Sequence, residues 1–471
     1  MITLQLAVIG GGPGGYAAAF LAADLGLSVA LVDPEVNPGG VCVYRGCIPS
    51  KALLHVAKLI AESRHAKAWG IDFGEPAIDL ARLRAFKDNV VKRLTSGTGQ
   101  LVKHRKVRYL QGLASIVDAH TLNVKLAAGG EETIQFEHAI VATGSVPAIP
   151  PALNVDDPRV MDSTAALDLL DVPKSLLVVG GGYIGLELGT VYATLGSAVT
   201  VVEMTPGLLP GADRDLVDVL AKRVGQTMKA VLLETKVVQM KPDAAGIRVT
   251  FEGKPEIEKE QIFDRVLVAV GRRPNSSVPG LDRTRVHVNE RGFIVVDEQM
   301  RTAEPTIFAI GDVVGEPMLA HKASHEGRVA VEVIAGEHVA FQPRAIPAVV
   351  FTDPELAWAG LTEAQARSAN REVVIAKFPW AASGRAITLD RTDGLTKLVL
   401  DPETEHVLGV GLVGVGAGEL IAEGVLAIEM GATATDLKLS IHPHPTLTET
   451  MMESAEVFFG QATHVYRPRR R

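Results

Sequence analysis

Two cysteines in 471 residues are too few to staple a secreted scaffold, so a disulfide-rich class is excluded at once. A basic surplus is missing as well. The formal net charge is −8, which argues against a nucleic-acid binder, since such proteins carry a basic face. The 46 glycines show no collagen-type period. No long apolar run survives inspection either. Residues 1–32 hold one charge, Asp24, but Gly10-Gly11-Gly12-Pro13-Gly14-Gly15 interrupts them and no basic segment leads them. A membrane span or a signal peptide does not read this way, whereas a strand, a tight turn and a helix do. The expectation is a cytoplasmic protein that engages neither membrane nor nucleic acid. With 47% hydrophobic and 22% charged residues the chain is globular, and its length suits about three or four domains.

What is present is an internal repeat at an offset of 170. Residues 10–33 and 180–203 align without a gap, with identities at Gly10, Gly11, Gly12, Gly15, Ala23, Leu25, Gly26, Val29 and Val32. Each copy follows an apolar strand, Leu6-Ala7-Val8-Ile9 or Leu176-Leu177-Val178-Val179, and each ends a second strand in an acid, Asp33 or Glu203. A lone G-x-G-x-x-G means little, but two copies in β-α-β context, each with its acid, read as two dinucleotide sites. Gly10 and Gly180 permit the tight turn, Gly12 and Gly182 let the backbone approach a pyrophosphate, and Gly15 and Gly185 let helix pack on strand. The phosphates meet the helix N-terminus and the acid accepts from a ribose. Glu203 would repel a 2′-phosphate, and Met204-Thr205-Pro206-Gly207 offer no cation to bind one, so the second site favours NAD over NADP. Residues 139–144, 266–271 and 307–312 read as further strands running into a glycine. The tail Arg467-Pro468-Arg469-Arg470-Arg471 reads as a solvated basic end.

Both cysteines lie in Gly39-Gly40-Val41-Cys42-Val43-Tyr44-Arg45-Gly46-Cys47-Ile48-Pro49-Ser50-Lys51. This spacing is neither a thioredoxin motif nor a zinc site, and no metal is expected. On an ideal helix positions five apart are separated by about 8.7 Å, beyond the roughly 7 Å reach of a disulfide. A bridge therefore needs a distorted turn, which Gly46 permits. A strained bridge would be easily reduced, and two unpaired buried thiols are the alternative.

Around this segment stands an ordered set of motifs: Ala142-Thr143-Gly144, Tyr183-Ile184-Gly185-Leu186-Glu187, Gly271-Arg272-Arg273-Pro274-Asn275, Gly311-Asp312, Met318-Leu319-Ala320-His321, Glu326-Gly327, and His442-Pro443-His444-Pro445-Thr446 with Glu449. From about residue 5 to 460 the chain resembles the class I pyridine nucleotide-disulfide oxidoreductases, and among them those that oxidise dihydrolipoyl groups. The resemblance implies an α/β protein with two Rossmann-like domains, for FAD and NAD, and a C-terminal α+β dimerisation domain. Its parts would be an FAD domain at 1–150, an NAD domain at 151–273, a central domain at 274–345 completing the FAD site, and an interface domain at 346–471.

It also implies roles. Gly10, Gly12, Gly15, Asp33, Thr143, Gly144 and Asp312 would hold FAD, and Gly180, Gly182, Gly185 and Glu203 would hold NAD, with Gly271, Arg272, Leu319 and Ala320 also at the cofactors. Cys42 corresponds to the thiol that meets substrate, Cys47 to the one beneath the flavin, and Lys51 with Glu187 to an ion pair beside it. His444 corresponds to the general base and Glu449 to the acid orienting it, both reaching in from the other subunit of a homodimer. Tyr183 would cover the nicotinamide pocket or simply pack, and His442 would be structural. The partners implied are lipoyl domains and the acyltransferase core of a 2-oxo acid dehydrogenase complex, or a lipoylated H-protein. The rivals are an NAD(P)H-dependent reductase of another small disulfide, and a non-catalytic flavoprotein assembly component. The chain departs from the family's usual Gly-Gly-Thr-Cys-Leu-Asn at Val41, Val43 and Tyr44, and has Pro443 where alanine is usual.

Overall fold

The computed structural model describes residues 2–254 and 257–466; the arginine-rich end, Arg467–Arg471, lies outside them. Three main sheets organise the chain. In the first, strands Ile2–Ile9, Val29–Asp33 and Glu131–Val141 run parallel, with Arg108–Asp118 beyond Val29–Asp33 and Ile307–Ala309 beside Glu131–Val141. The short strand Thr121–Leu126 joins the two long ones in an antiparallel meander. Leu6 to Val8 and Ala30 to Leu31 are wholly buried, as expected of parallel strands covered on both faces and hence free of alternation. Helix Pro13–Asp24 covers one face, its proline sitting in the first turn, where no backbone N–H is needed. Ile307–Ala309 arrives from far along the chain, so the first sheet is completed by a segment that follows the second.

The second sheet orders its parallel strands Ala230–Leu232, Ala198–Val202, Ser175–Val179, Arg265–Val268 and Val160–Met161. Its core repeats that of the first: strand Ser175–Val179, helix Tyr183–Leu195, strand Ala198–Val202. A three-stranded antiparallel sheet, Lys236–Asp243, Gly246–Glu252 and Glu260–Phe263, is appended to it. A two-stranded ribbon, Ser145–Pro147 against Arg272–Pro274, ties the exits of the first two units together. The third sheet is antiparallel, Ala348–Val350, Glu355–Gly360, Val407–Gly414, Leu395–Leu400 and Val374–Pro379, packed against helices Ala417–Met430 and Glu449–Phe459. The expected strands at 139–144, 266–271 and 307–312 end earlier, at Val141, Val268 and Ala309, because the one or two residues before each glycine already turn into loop.

One buried cluster joins the second unit to the third. Lys397, 1% exposed, sets its Nζ 2.6 Å from Asp213, 3.0 Å from Asp215 and 2.6 Å from Glu363. Lys377 lies 2.6 Å from Asp215 and 3.3 Å from Glu363. Asp213 and Asp215 open helix Arg214–Thr227, while Glu363 and both lysines belong to the third unit. Burial pulls the Lys397 ammonium down, but three carboxylates outweigh it and hold its pKa above the usual lysine value. Among the described residues, no helix is long and apolar enough to cross a membrane.

Candidate active site

The two glycine loops have the same geometry. Gly10 and Gly180 take φ of +106° and +111°, and a Cβ on either would strike a carbonyl oxygen, of Ala142 or Ala269. A Cβ at Gly15 or Gly185 would strike the carbonyl of Gly10 or Gly180, so helix and turn meet as closely as glycine allows. Gly12 and Gly182 differ: nothing nearer than 4.0 Å surrounds a Cβ at Gly12, and nothing within 4 Å at Gly182. Both are helix N-caps without a side-chain cap, and neither helix carries an acid in its first turn. Free N–H groups thus face an open cradle with no negative side chain of their own, which fits a pyrophosphate.

Each acid does more than the sequence suggested. Asp33 accepts from Gly11 N–H at 2.5 Å and Glu35 N–H at 2.9 Å; Glu203 accepts from Gly181 N–H at 2.7 Å and Thr205 N–H at 2.8 Å. The carboxylates therefore staple each phosphate loop to the end of the second strand before any ribose arrives, with a further lone pair on each oxygen. Burial pushes the Asp33 carboxyl up to about 6, against the Gly11 N–H and Arg45, which favour its charge.

One continuous cavity collects most of the expected residues. Gly10, Gly12, Asp33, Cys42, Cys47, Lys51, Thr143, Gly144, Glu187, Arg272, Asp312 and Ala320 all line it. Gly15 sits behind the turn. Leu319, the N-cap of helix Ala320–Ile334, and Gly271 are not part of its lining. Gly180, Gly182, Gly185 and Glu203 form the second cradle, whose helix lends Tyr183, Ile184 and Glu187 to the first cavity. Thr143 spends its hydroxyl on the Asn275 carbonyl at 2.7 Å.

The cysteine segment breaks where glycine permits it. Helix Gly40–Arg45 ends at Gly46 and helix Cys47–His65 begins at once. A Cβ at Gly46 would lie 2.9 Å from the Val41 carbonyl, so the break is available to glycine alone without displacement. Both cysteines are free thiols here, and they are coupled by a hydrogen bond. That bond pushes the Cys42 thiol far up and pulls the Cys47 thiol below its ordinary value, and Lys51 favours the charged form of both. In the dithiol form this bias favours the proton on Cys42 and the negative charge on Cys47. Tyr44, where the family usually has asparagine, bonds the Asn37 carbonyl at 3.0 Å and so braces the loop into this segment.

Lys51 and Glu187 meet at 2.8 Å across 136 residues, joining the cysteine helix to the helix of the second cradle. The other Glu187 oxygen accepts from Phe351 N–H at 3.0 Å, and the Lys51 ammonium lies 4.6 Å from the Phe351 ring centroid. A third pair stands elsewhere. His444 Nδ1 lies 2.9 Å from Glu449 Oε1, and Thr446 N–H donates to Glu449 Oε2 at 2.8 Å. Glu449 opens helix Glu449–Phe459, as its spacing from His444 suggested. The His444 side chain is 74% exposed, its Nε2 has no hydrogen-bond partner among the described residues, and it does not line the cysteine cavity of its own chain. His442 is tied at both ring nitrogens, to Ser440 and Glu423, which suits a structural part.

Sequence reasoning missed Ser145, Gly14 and Glu326. Ser145 bonds both Asp312 and Arg272. A Cβ at Gly14 would sit 2.9 Å from the Ala323 carbonyl, so this glycine sets the approach of helix Ala320–Ile334. Glu326, noted only as a motif, accepts from Gly311 N–H at 2.7 Å and fixes the turn that carries Asp312. The run of small residues at 10–15 could have signalled Gly14; nothing local marks the other two.

Comparison with known proteins agrees with this geometry. The family model described as pyridine nucleotide-disulphide oxidoreductase matches residues 4–327, and that family's dimerisation domain matches 346–455. A Haemophilus influenzae protein named dihydrolipoyl dehydrogenase is 50% identical over 462 residues, covering 98% of this chain and 96% of the relative. Another of that name, from Geobacillus stearothermophilus, is 45% identical over 464 residues and covers 98% of each. Among solved structures, LpdA from Mycobacterium tuberculosis superposes with a TM-score of 0.89 at 27% identity, covering 96% of this chain and 99% of that one. The flavoprotein disulfide reductase RclA from Escherichia coli gives 0.87 at 28%, covering 97% and 100%. Twin phosphate cradles, a thiol pair between them and a matched dimerisation unit leave one conclusion: the chain belongs to the pyridine nucleotide-disulphide oxidoreductase family.

Proposed function

We propose that this protein is a homodimeric enzyme that oxidises dihydrolipoyl groups with NAD⁺, using FAD and the Cys42/Cys47 pair. The observation that carries this reading is the placing of Cys42, Cys47 and the Lys51–Glu187 ion pair together in one cavity that begins at a phosphate cradle, with the two thiols biased in opposite directions. The parts at 1–150, 151–273, 274–345 and 346–471 act as FAD, NAD, central and interface domains. Gly10, Gly12, Gly15, Asp33, Thr143, Gly144 and Asp312 hold FAD; Gly180, Gly182, Gly185, Glu203 and Arg272 hold NAD.

The exchange begins with Cys42 and Cys47 joined as a disulfide. His444 of the partner subunit, its Nε2 free and its Nδ1 fixed by Glu449, takes the proton of one substrate thiol. The resulting thiolate attacks Cys42 Sγ; a bond forms between substrate sulfur and Cys42 and the Cys42–Cys47 bond breaks, leaving Cys47 as thiolate. The second substrate thiol then attacks the substrate sulfur bound to Cys42 and its proton passes to the departing Cys42 sulfur, so the substrate leaves as a disulfide and the protein keeps both electrons as a Cys42 thiol and a Cys47 thiolate. Lys51 and Glu187 keep the charge beside Cys47 balanced. FAD, when bound, carries the electron pair from the dithiol to NAD⁺. Tyr183, half exposed at the cavity wall, covers the nicotinamide position until NAD⁺ enters.

The partners proposed are lipoyl domains and the acyltransferase core of a 2-oxo acid dehydrogenase complex, or a lipoylated H-protein, in the cytoplasm. Scarce cysteine and the family of the relatives support that setting. Steady-state assays with dihydrolipoamide and NAD⁺, against glutathione disulfide and NADPH, test the substrate. Only the first couple should turn over efficiently, and Cys42→Ser should abolish it. Normal dihydrolipoamide oxidation by that variant would overturn the scheme.

A further inference from the structure

The Asp312 carboxylate and the Arg272 guanidinium belong to different cofactor sites in the reading above, on which this inference rests. They are not independent. Between them lies Ser145, 3% exposed, on the ribbon strand that leaves the first sheet. Its hydroxyl is 2.5 Å from Asp312 Oδ2 and 2.7 Å from Arg272 Nε, and its backbone carbonyl accepts from Arg272 Nη2 at 2.8 Å. A serine hydroxyl has one proton and two lone pairs, and an arginine nitrogen can only donate. The hydroxyl must therefore accept from Arg272 and donate to Asp312, so the direction of the chain is fixed.

The Asp312 end depends wholly on that hydroxyl, and the Arg272 end needs it to fix Nε while the backbone carbonyl holds Nη2. The Ser145 hydroxyl is the one hydrogen-bond donor that reaches the Asp312 carboxylate among the described residues. Arg272 has no carboxylate within ion-pair distance among them, and Nη1 makes no hydrogen bond there, so this side of the fork is left for a ligand. The three residues come from three separate places: Ser145 after the first sheet, Arg272 after the second, and Asp312 in the turn after Ile307–Ala309. They meet because strand Ser145–Pro147 pairs with Arg272–Pro274, and all three line the cavity together with Tyr183.

We propose that Ser145 is a positioning residue that orients both cofactor-site groups at once, aiming the Asp312 carboxylate at FAD and the Arg272 fork at NAD. Losing one charge-assisted hydrogen bond corresponds to roughly tenfold in affinity. Ser145→Ala should therefore weaken FAD binding to the apoprotein about tenfold, read by quenching of flavin fluorescence, and raise the KM for NAD⁺ several-fold. The KM for dihydrolipoamide should stay unchanged, because Cys42 and His444 are untouched. Ser145→Thr, which keeps the hydroxyl, should restore both values. The inference is overturned if FAD affinity is unchanged, if it falls while the NAD⁺ KM stays at the wild-type value, or if threonine fails to rescue. Failure of the proposed function itself would look different, since the wild type would then not oxidise dihydrolipoamide.

Discussion

Lys397 offers a direct test of how the units are held together. Replacing it by methionine keeps nearly the same length and removes one charge from among Asp213, Asp215 and Glu363, whose carboxylate oxygens lie within 4.8 Å of one another. At an effective dielectric near 20, two unit charges at that separation repel by about 3 kcal/mol. Lys377 remains against two of the three and offsets much of the sum. Breaking a buried ion network by removing one partner costs about 3–5 kcal/mol, and that is the expected loss for Lys397→Met. For units of this size the loss corresponds to a fall of roughly 10 °C in melting temperature. The assay is thermal and urea unfolding of the holoenzyme at pH 7.5 and again near pH 3. Lys397 and Lys377 hold Asp215 and Glu363 below the usual carboxylate range against their burial, so their stabilisation is present throughout that range and above it, and fades only as pH falls through the depressed values beneath it. The gap between variant and wild type should accordingly shrink at the lower pH. A loss below about 1 kcal/mol, or a loss equal at both pH values, would refute the reasoning.

Other outcomes follow from the site. His444→Gln should lower kcat for dihydrolipoamide by about 10²–10⁴ while NADH oxidation by ferricyanide, which needs no thiol proton transfer, stays near wild type in parallel assays. The apoprotein should lose stability as pH rises through about 6, because burial raises the Asp33 carboxyl and its ionised form is disfavoured in the fold; Asp33→Asn should flatten that dependence in melting curves and weaken FAD binding. Glu203→Ser should cut the preference for NAD⁺ over NADP⁺ at least about tenfold in kcat/KM ratios, since the repelling charge is gone. In the dithiol enzyme, the long-wavelength absorbance of a thiolate against flavin should persist below pH of about 8.5, the ordinary thiol value, because Cys42 and Lys51 favour the Cys47 anion; Cys42→Ala should move its loss to higher pH.

The parts legible in the sequence are those whose physics is local. Gly10, Gly12 and Gly15 mark a turn, an approach and a packing contact within six residues, and the same triplet recurs at 180–185. Gly46 could be seen to break the cysteine helix, and His444 could be paired with Glu449 across five residues. What stayed hidden depends on distant chain segments meeting. Nothing near Lys397 announces Asp213 or Asp215, which join it only after two units dock. Ser145 looks like any serine after a turn glycine until the ribbon sets Arg272 beside it. The staples from Asp33 to Gly11 and from Glu203 to Gly181 span 22 residues each, and only the folded sheet brings these acids back to anchor their loops.

His444 is exposed and does not line the cysteine cavity of its own chain, and its proposed service to the partner subunit's site has a genetic consequence. Two inactive alleles, one lacking Cys42 and one lacking His444, should complement each other in a cell that expresses both. On the proposed arrangement, a mixed dimer would contain one site built from the surviving cysteine of one chain and the surviving histidine of the other. With random pairing of equal amounts, about one quarter of all sites become competent. Heterozygotes would then keep measurable activity although each allele alone has none.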